Sequence, residues 1–300
     1  MWPDVNVAKW PGTKRSLQMY AQMLGKIRVA LSPPQPNWMF TALHLNARGL
    51  TTGFIPWQLS SFEAAIDVFD SQIVLARSEG DRRHVSLLPV RPVADVYADV
   101  VSALEELRVE CYISPTPQEV PDTTRLDKDR RPAQYDPVAV LRWFEAYTAS
   151  AVVFDRWRSC FFGRSGVQVW WGAFDLALIL FNGKHATPPA GRGYLLKYDL
   201  DAELMNVGLF LGDEQNPPYF YGYIYPEPKG AEKLAISPSP ASWSAQLHEW
   251  VLPYDAVRSS SDPQATLVAF IDAIYEQCFA IAGWNRAALT YAAPKRLPRA

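Results

Sequence analysis

The 300 residues carry 29 Lys and Arg against 31 Asp and Glu, a formal net charge of −2, with 49% hydrophobic and 13% aromatic residues. That balance supplies no general field for nucleic acid or an anionic membrane, and the apolar and aromatic content excludes a disordered chain. Cys111, Cys160 and Cys278 are too few and too widely spaced for a disulfide framework or a CxxC motif, which fits a reducing cytoplasm.

The N-terminal MWPDVNVAKWPG lacks a basic region followed by an apolar run, and no 18-residue apolar stretch occurs, so neither a standard export signal nor a membrane span is expected. After Pro11, the residues Leu17, Tyr20, Leu24, Ile27 and Leu31 form one stripe of an amphipathic helix over about 13–30, ended by Pro33 and Pro34. Residues 37–49 read as a strand with Leu43, Leu45 and Ala47 on one face and His44, Asn46 and Arg48 on the other. Short strands over 54–57, 62–69, 73–77 and 84–88 make an antiparallel meander, with a Gly80 hairpin turn at 78–81. Pro92 opens a second helix on the stripe Val93, Val96, Val100, Leu104 and Leu107, and 109–113 reads as one more strand. Residues 114–135, with their prolines and mixed charges, read as a surface linker.

A long helix follows over about 137–158, and then VQVWWGAFDLALILFNG (167–183), read as a single strand. In a strand, Trp171, Ala173, Asp175, Ala177 and Ile179 share a face on which Asp175 is the only charge, an arrangement that costs several kcal/mol unless the carboxylate is paired, hydrogen-bonded or neutralised. A Gly- and Pro-rich loop over 183–193 leads to further strands. In 219–225, Tyr219, Tyr221, Tyr223 and Tyr225 alternate onto one face, and a strand over 248–252 follows. Asp262 and Pro263 are a cap and first-turn pair for the last helix, whose stripe is Leu267, Phe270, Ile274, Cys278 and Ile281, with Gly283 ending it.

The order long helix, strand, antiparallel strands, Leu-Pro pair and closing helix occurs twice. The expectation is therefore an α+β fold of two pseudo-repeated halves, each an antiparallel sheet with flanking helices, divided into 1–132 and 133–300 within one two-lobed unit. The alignment of Ala42-Leu43-His44-Leu45 with Ala173-Phe174-Asp175-Leu176 makes His44 and Asp175 pseudo-equivalent, with Trp38 and Trp171 upstream of each.

GKIRVAL (25–31), ARGLTTGFIP (47–56), Tyr135-Asp136-Pro137, WWGAFDLA (170–177), YGYIYPEPKG (221–230) and LPYDAVR (252–258) together resemble the bacterial domain of unknown function 5996 family across nearly the whole chain. The resemblance implies no activity. The pattern associated with that family has histidines where this chain has Pro132, Gln168 and Ala202, and an arginine where it has Leu180, while Arg48, Asp175 and Glu203 are kept. It thus implies a divergent member whose site is more apolar.

The chain has no GxGxxG after a strand and no GxxxxGK[ST], and Gly163-Arg164-Ser165-Gly166 misses the nucleophile elbow by one residue. His44, His84, His185 and His248 are scattered with no cysteine nearby, so no metal site and no cofactor are expected. Asp175 is the sharpest candidate, as general acid or base or as a buried structural acid; His44 or Tyr221 is its counterpart. Arg48 serves as a clamp for an anionic group or as a turn anchor, and Trp38, Trp171, Tyr221, Tyr223 and Glu203 complete the candidate substrate-binding set. The function expected is cofactor-independent acid–base chemistry (isomerase, cyclase, lyase or hydrolase) on a small, partly apolar organic molecule in the cytoplasm. A non-catalytic small-molecule binder or sensor, and a structural or partner-binding protein, are the alternatives.

Overall fold

In the computed structural model, which describes residues 2–190, 194–213 and 215–290, the first apolar stripe forms α1 (Pro11–Leu31). Leu17, Tyr20, Leu24 and Ile27 lose all solvent contact, and Pro11 at the first turn needs no amide partner there. The chain resolves into two compact units. The first takes Met1–Thr148 with Gln168–Leu176 and Phe210–Pro218; the second takes Ala149–Val167, Ala177–Leu209 and Tyr219–Ala300.

The first sheet holds β1 (His44–Asn46), β2 (Gly49–Thr51), β3 (Ile55–Trp57), β4 (Ser60–Asp67), β5 (Gln72–Arg77) and β6 (Arg82–Ser86), all antiparallel. β4 is long enough to take two partners on one edge: its C-terminal end pairs with β2 (Leu50 opposite Ile66) and its N-terminal end with β3 (Ile55 opposite Phe62). The expected strand over 37–49 is cut down to β1, because Asn37 and Trp38 adopt positive φ (57° and 52°) and residues 39–41 form a turn. α2 (Val93–Glu106) buries Val93, Val96, Val100 and Leu104 as its spacing predicts.

The expected strand over 109–113 is absent: Val109 and Ile113 are buried, but the segment pairs with no strand. The stretch read as a linker is instead packed and ion-paired. Asp122 and the buried Asp129 both take Arg15 of α1 and Arg131, Ala94 N donates to Asp129 O, and Leu126 is fully buried. Proline content marks this segment as irregular; it does not mark it as exposed.

α3 (Pro137–Trp157) leads into the second sheet, ordered β11-β12-β10-β9-β8-β7. Its strands are β7 (Ser165–Trp170), β8 (Asp175–His185), β9 (Ala202–Phe210), β10 (Tyr219–Tyr225), β11 (Ser242–Ser244) and β12 (Glu249–Pro253). The single strand expected over 167–183 is thus two, separated by a turn at 171–174 in which Phe174 has φ 60°. The predicted two-face alternation stops at that turn, and Asp175 opens β8 rather than sitting mid-strand. β8 also runs to His185, into the expected loop, whose residues 191–193 lie outside the described residues. The short helices α4 (Tyr194–Asp199) and α5 (Tyr254–Arg258) precede α6 (Pro263–Ala280) and α7 (Arg286–Leu289). Asp262 caps α6 by accepting from Ala265 N, and Ile274 packs against Gly222 of β10.

The element order recurs as the sequence suggests: a 21-residue helix, six antiparallel strands, then a closing helix, α2 in one half and α6 in the other. No helix among the described residues is long and apolar enough to cross a membrane.

Candidate functional site

One turn of chain in the first unit, residues 38–41, organises the chemistry. Four successive carbonyls there each receive a side-chain donor. Trp38 O takes Thr41 Oγ1 at 2.9 Å, Met39 O takes Gln168 Nε2 at 3.4 Å, Phe40 O takes Arg28 Nε at 2.6 Å and Thr41 O takes Trp171 Nε1 at 2.9 Å. Thr41 donates from within the turn, and the other three donors arrive from α1, from β7 and from the turn after β7. A short backbone bridge, Leu43 with Val169, closes the same region.

Trp171 lies face-on over Gly25 of α1: a methyl at Gly25 would come within 2.3 Å of three indole atoms. Gly25 is thus the only residue type that lets the ring reach the helix. Lys26 and Arg28, which follow Gly25 by one and three residues, are both nearly fully buried. Lys26 Nζ donates to Thr116 O at 2.7 Å and stands 5.6 Å from the centre of the Trp171 ring. Arg28 spends Nε and Nη1 on the carbonyls of Phe40 and Thr52. Among the described residues neither cation has a carboxylate partner, and burial alone pushes Lys26 down to about 8 and Arg28 to about 10. Two buried charges without counter-ions are costly, and such groups are found where a site is built.

His44 opens β1 directly opposite Thr51, whose hydroxyl donates to Glu63 Oε1 at 2.5 Å, and its ring edge faces Gly53. Burial, and then the charge of Arg28, push its pKa down to about 4, so the imidazole is neutral at pH 7. Asp175 is buried elsewhere in the same unit, among aromatics. Tyr147 donates to Phe174 O at 2.7 Å, Trp143 stacks on Phe174 at 5.4 Å, and Tyr147 is held far above its ordinary value by burial and then by the Asp175 charge. Arg48 makes its ion pairs with Asp67 and with Asp70 at 2.8 Å rather than with Asp175, over the face of Phe69. Trp38 supplies its carbonyl to the turn, and its ring lies 5.6 Å from that of Phe40.

The remaining sequence candidates belong to the second unit. Tyr221 and Tyr223 stack at 6.4 Å, Tyr221 fills the space left by Gly208, Asn206 Nδ2 donates to Tyr223 Oη at 3.1 Å, and Glu203 accepts from Asn182 at 2.5 Å.

Sequence reasoning missed Arg28, Lys26 and Glu119, and marked Gln168 only as a position where the family pattern has a histidine. Glu119 has φ 56°, its carboxylate lies where a side chain at Gly172 would be, it accepts from Ala173 N, and burial raises its pKa. The signal for Arg28 is its place one turn after Leu24, at the edge of a stripe that is otherwise wholly apolar.

Fold and site together define an α+β protein of two units whose first unit gathers buried cations, a neutral histidine and an indole around one turn of backbone. Three of the segments listed above, GKIRVAL, ARGLTTGFIP and WWGAFDLA, meet there. The chain belongs to the DUF5996 family, a family of unknown function, whose model matches residues 2–291. No curated protein and no solved structure matches it.

Proposed function

We propose that this protein is a cofactor-independent enzyme that performs acid–base chemistry on a small, partly apolar organic anion, with Arg28 holding the anion and His44 moving the proton. The observation that carries this reading is a half-buried imidazole whose edge faces Gly53, next to a buried guanidinium that bonds the Thr52 carbonyl and that no carboxylate among the described residues neutralises. Beside that charge the free imidazole stays unprotonated and able to accept a proton at pH 7. An anion at Arg28 offsets the guanidinium charge and makes the imidazolium easier to form, so base strength rises once the substrate is seated. His44 takes the proton from a carbon or oxygen acid and returns it, leaving the protein unchanged. In this assignment Asp175 is a structural acid beside Tyr147, and Arg48 an anchor for the turn at Asp67–Asp70.

A second reading, a binder without turnover, draws on the two carbonyl bonds of Arg28, which serve a scaffold as well as a catalyst. One experiment separates the two. The full chain is incubated with small aliphatic and aromatic carboxylates in D2O, and loss of C–H signals is followed by proton NMR beside thermal shifts with the same acids. The expected result is exchange that His44→Asn abolishes while binding persists, and binding that Arg28→Lys weakens by losing the planar fork. Binding with no exchange at any carbon selects the binder, and no binding of any acid ends the anion reading.

A further inference from the structure

Gln168 is 7% exposed and its Nε2 donates to Met39 O, which leaves Oε1 buried with no partner among the described residues. Flipping the amide would set Oε1 against the Met39 carbonyl, oxygen to oxygen, so the geometry fixes which end is the unpartnered acceptor. A buried acceptor left unpaired is costly and calls for an explanation. Gln168 Nε2 and Arg28 Nε land on the successive carbonyls of Met39 and Phe40, so both side chains end at one turn of chain.

We infer that the anion held by Arg28 carries a hydrogen-bond donor, a hydroxyl or an amide N–H close to its carboxylate, and that Gln168 Oε1 accepts from it. This rests on the proposed anion site and narrows its substrate class from organic acids in general to hydroxylated or amide-bearing ones. Trp171 beside the same turn adds an apolar wall, which favours a substrate whose remainder is a hydrocarbon or ring.

The test uses matched acids that differ by one donor: lactate against propionate, mandelate against phenylacetate, and N-acetylglycine against 4-oxopentanoate. Each is titrated calorimetrically into the full wild-type chain and into Gln168→Met, which keeps length and apolar volume. The expected result is that the donor-bearing member of at least one pair binds wild type about tenfold more tightly, and that Gln168→Met erases the difference within that pair. Equal binding within every pair by wild type overturns this inference and leaves the anion site standing. A preference that survives in Gln168→Met also overturns it. Failure of every acid to bind removes both readings together.

Discussion

His44 ties the site to a measurable pH dependence. The unfolded chain takes up a proton at this histidine near 6.5, whereas the folded chain does so only near 4. Between those values the unfolded state binds the extra proton, so stability is complete above about 6.5, falls as the pH drops and levels off below about 4. At about 1.4 kcal/mol per tenfold difference in proton affinity, the loss at pH 5 is about 2 kcal/mol and the limiting loss about 3 kcal/mol. Asp67, Asp122 and Asp129 are held below the usual carboxylate range by their arginines and backbone donors, and their contribution is lost only at lower pH, outside this window. Urea denaturation at pH 7.5 and pH 5 for wild type and His44→Gln isolates the effect: wild type should lose about 2 kcal/mol more than the variant between the two values. A carboxylate bound at Arg28 should shrink that difference, because it favours the imidazolium. Equal losses in wild type and His44→Gln would refute the lowered pKa of His44 and the burial and Arg28 charge that cause it.

Lys26 gives a second rise, on the alkaline side. Its folded form releases its proton near 8 and the unfolded form near 10.5, so stability should rise by about 2 kcal/mol from pH 8 to 9.5 in wild type, and Lys26→Met, followed by the same denaturation, should lack that rise. Gly25→Ala drives a methyl into the Trp171 ring and should cost about 3 kcal/mol, read as a drop in melting temperature; an unchanged melting temperature would contradict the tight indole contact. Asp175→Asn should lower stability by about 2 kcal/mol yet retain proton exchange, and loss of exchange in a well-folded variant would move the catalytic role back to Asp175.

Much of the fold was legible because burial imposes a period. Leu17, Tyr20, Leu24 and Ile27, the Val93–Leu104 stripe and the Leu267–Cys278 stripe each had a single element that could bury them, and each formed it. The failures fall where apolar runs cross a turn. Residues 169–174 and 176–181 carry no polar side chain that marks a face, apart from the indole N–H groups, so periodicity gave little information about the break at 171–174, and the φ of 60° at Phe174 is an unusual choice for an aromatic residue. Asn37 and Trp38 cut the strand over 37–49 by the same device.

The site was harder to read because its chemistry depends on which polar groups lack partners, and a sequence shows groups without showing their partners. Arg48 drew notice as a cation on a regular polar face, yet two aspartates engage it. Arg28 and Lys26, both buried in α1, are engaged by no carboxylate among the described residues. Gln18, Gln22 and Lys26 recur at a spacing of four, which in isolation describes a solvated helix face. Here that face is buried: Gln18 donates to Gly172 O at 2.6 Å, Gln22 both donates to Gln118 O and accepts from Gln118 N, and Lys26 takes Thr116 O. The proline-rich segment 114–119 therefore owes its place to side chains of α1, having few backbone partners of its own. The same contacts keep Lys26 beside Trp171, so a segment that reads as a linker helps to hold the candidate site in shape.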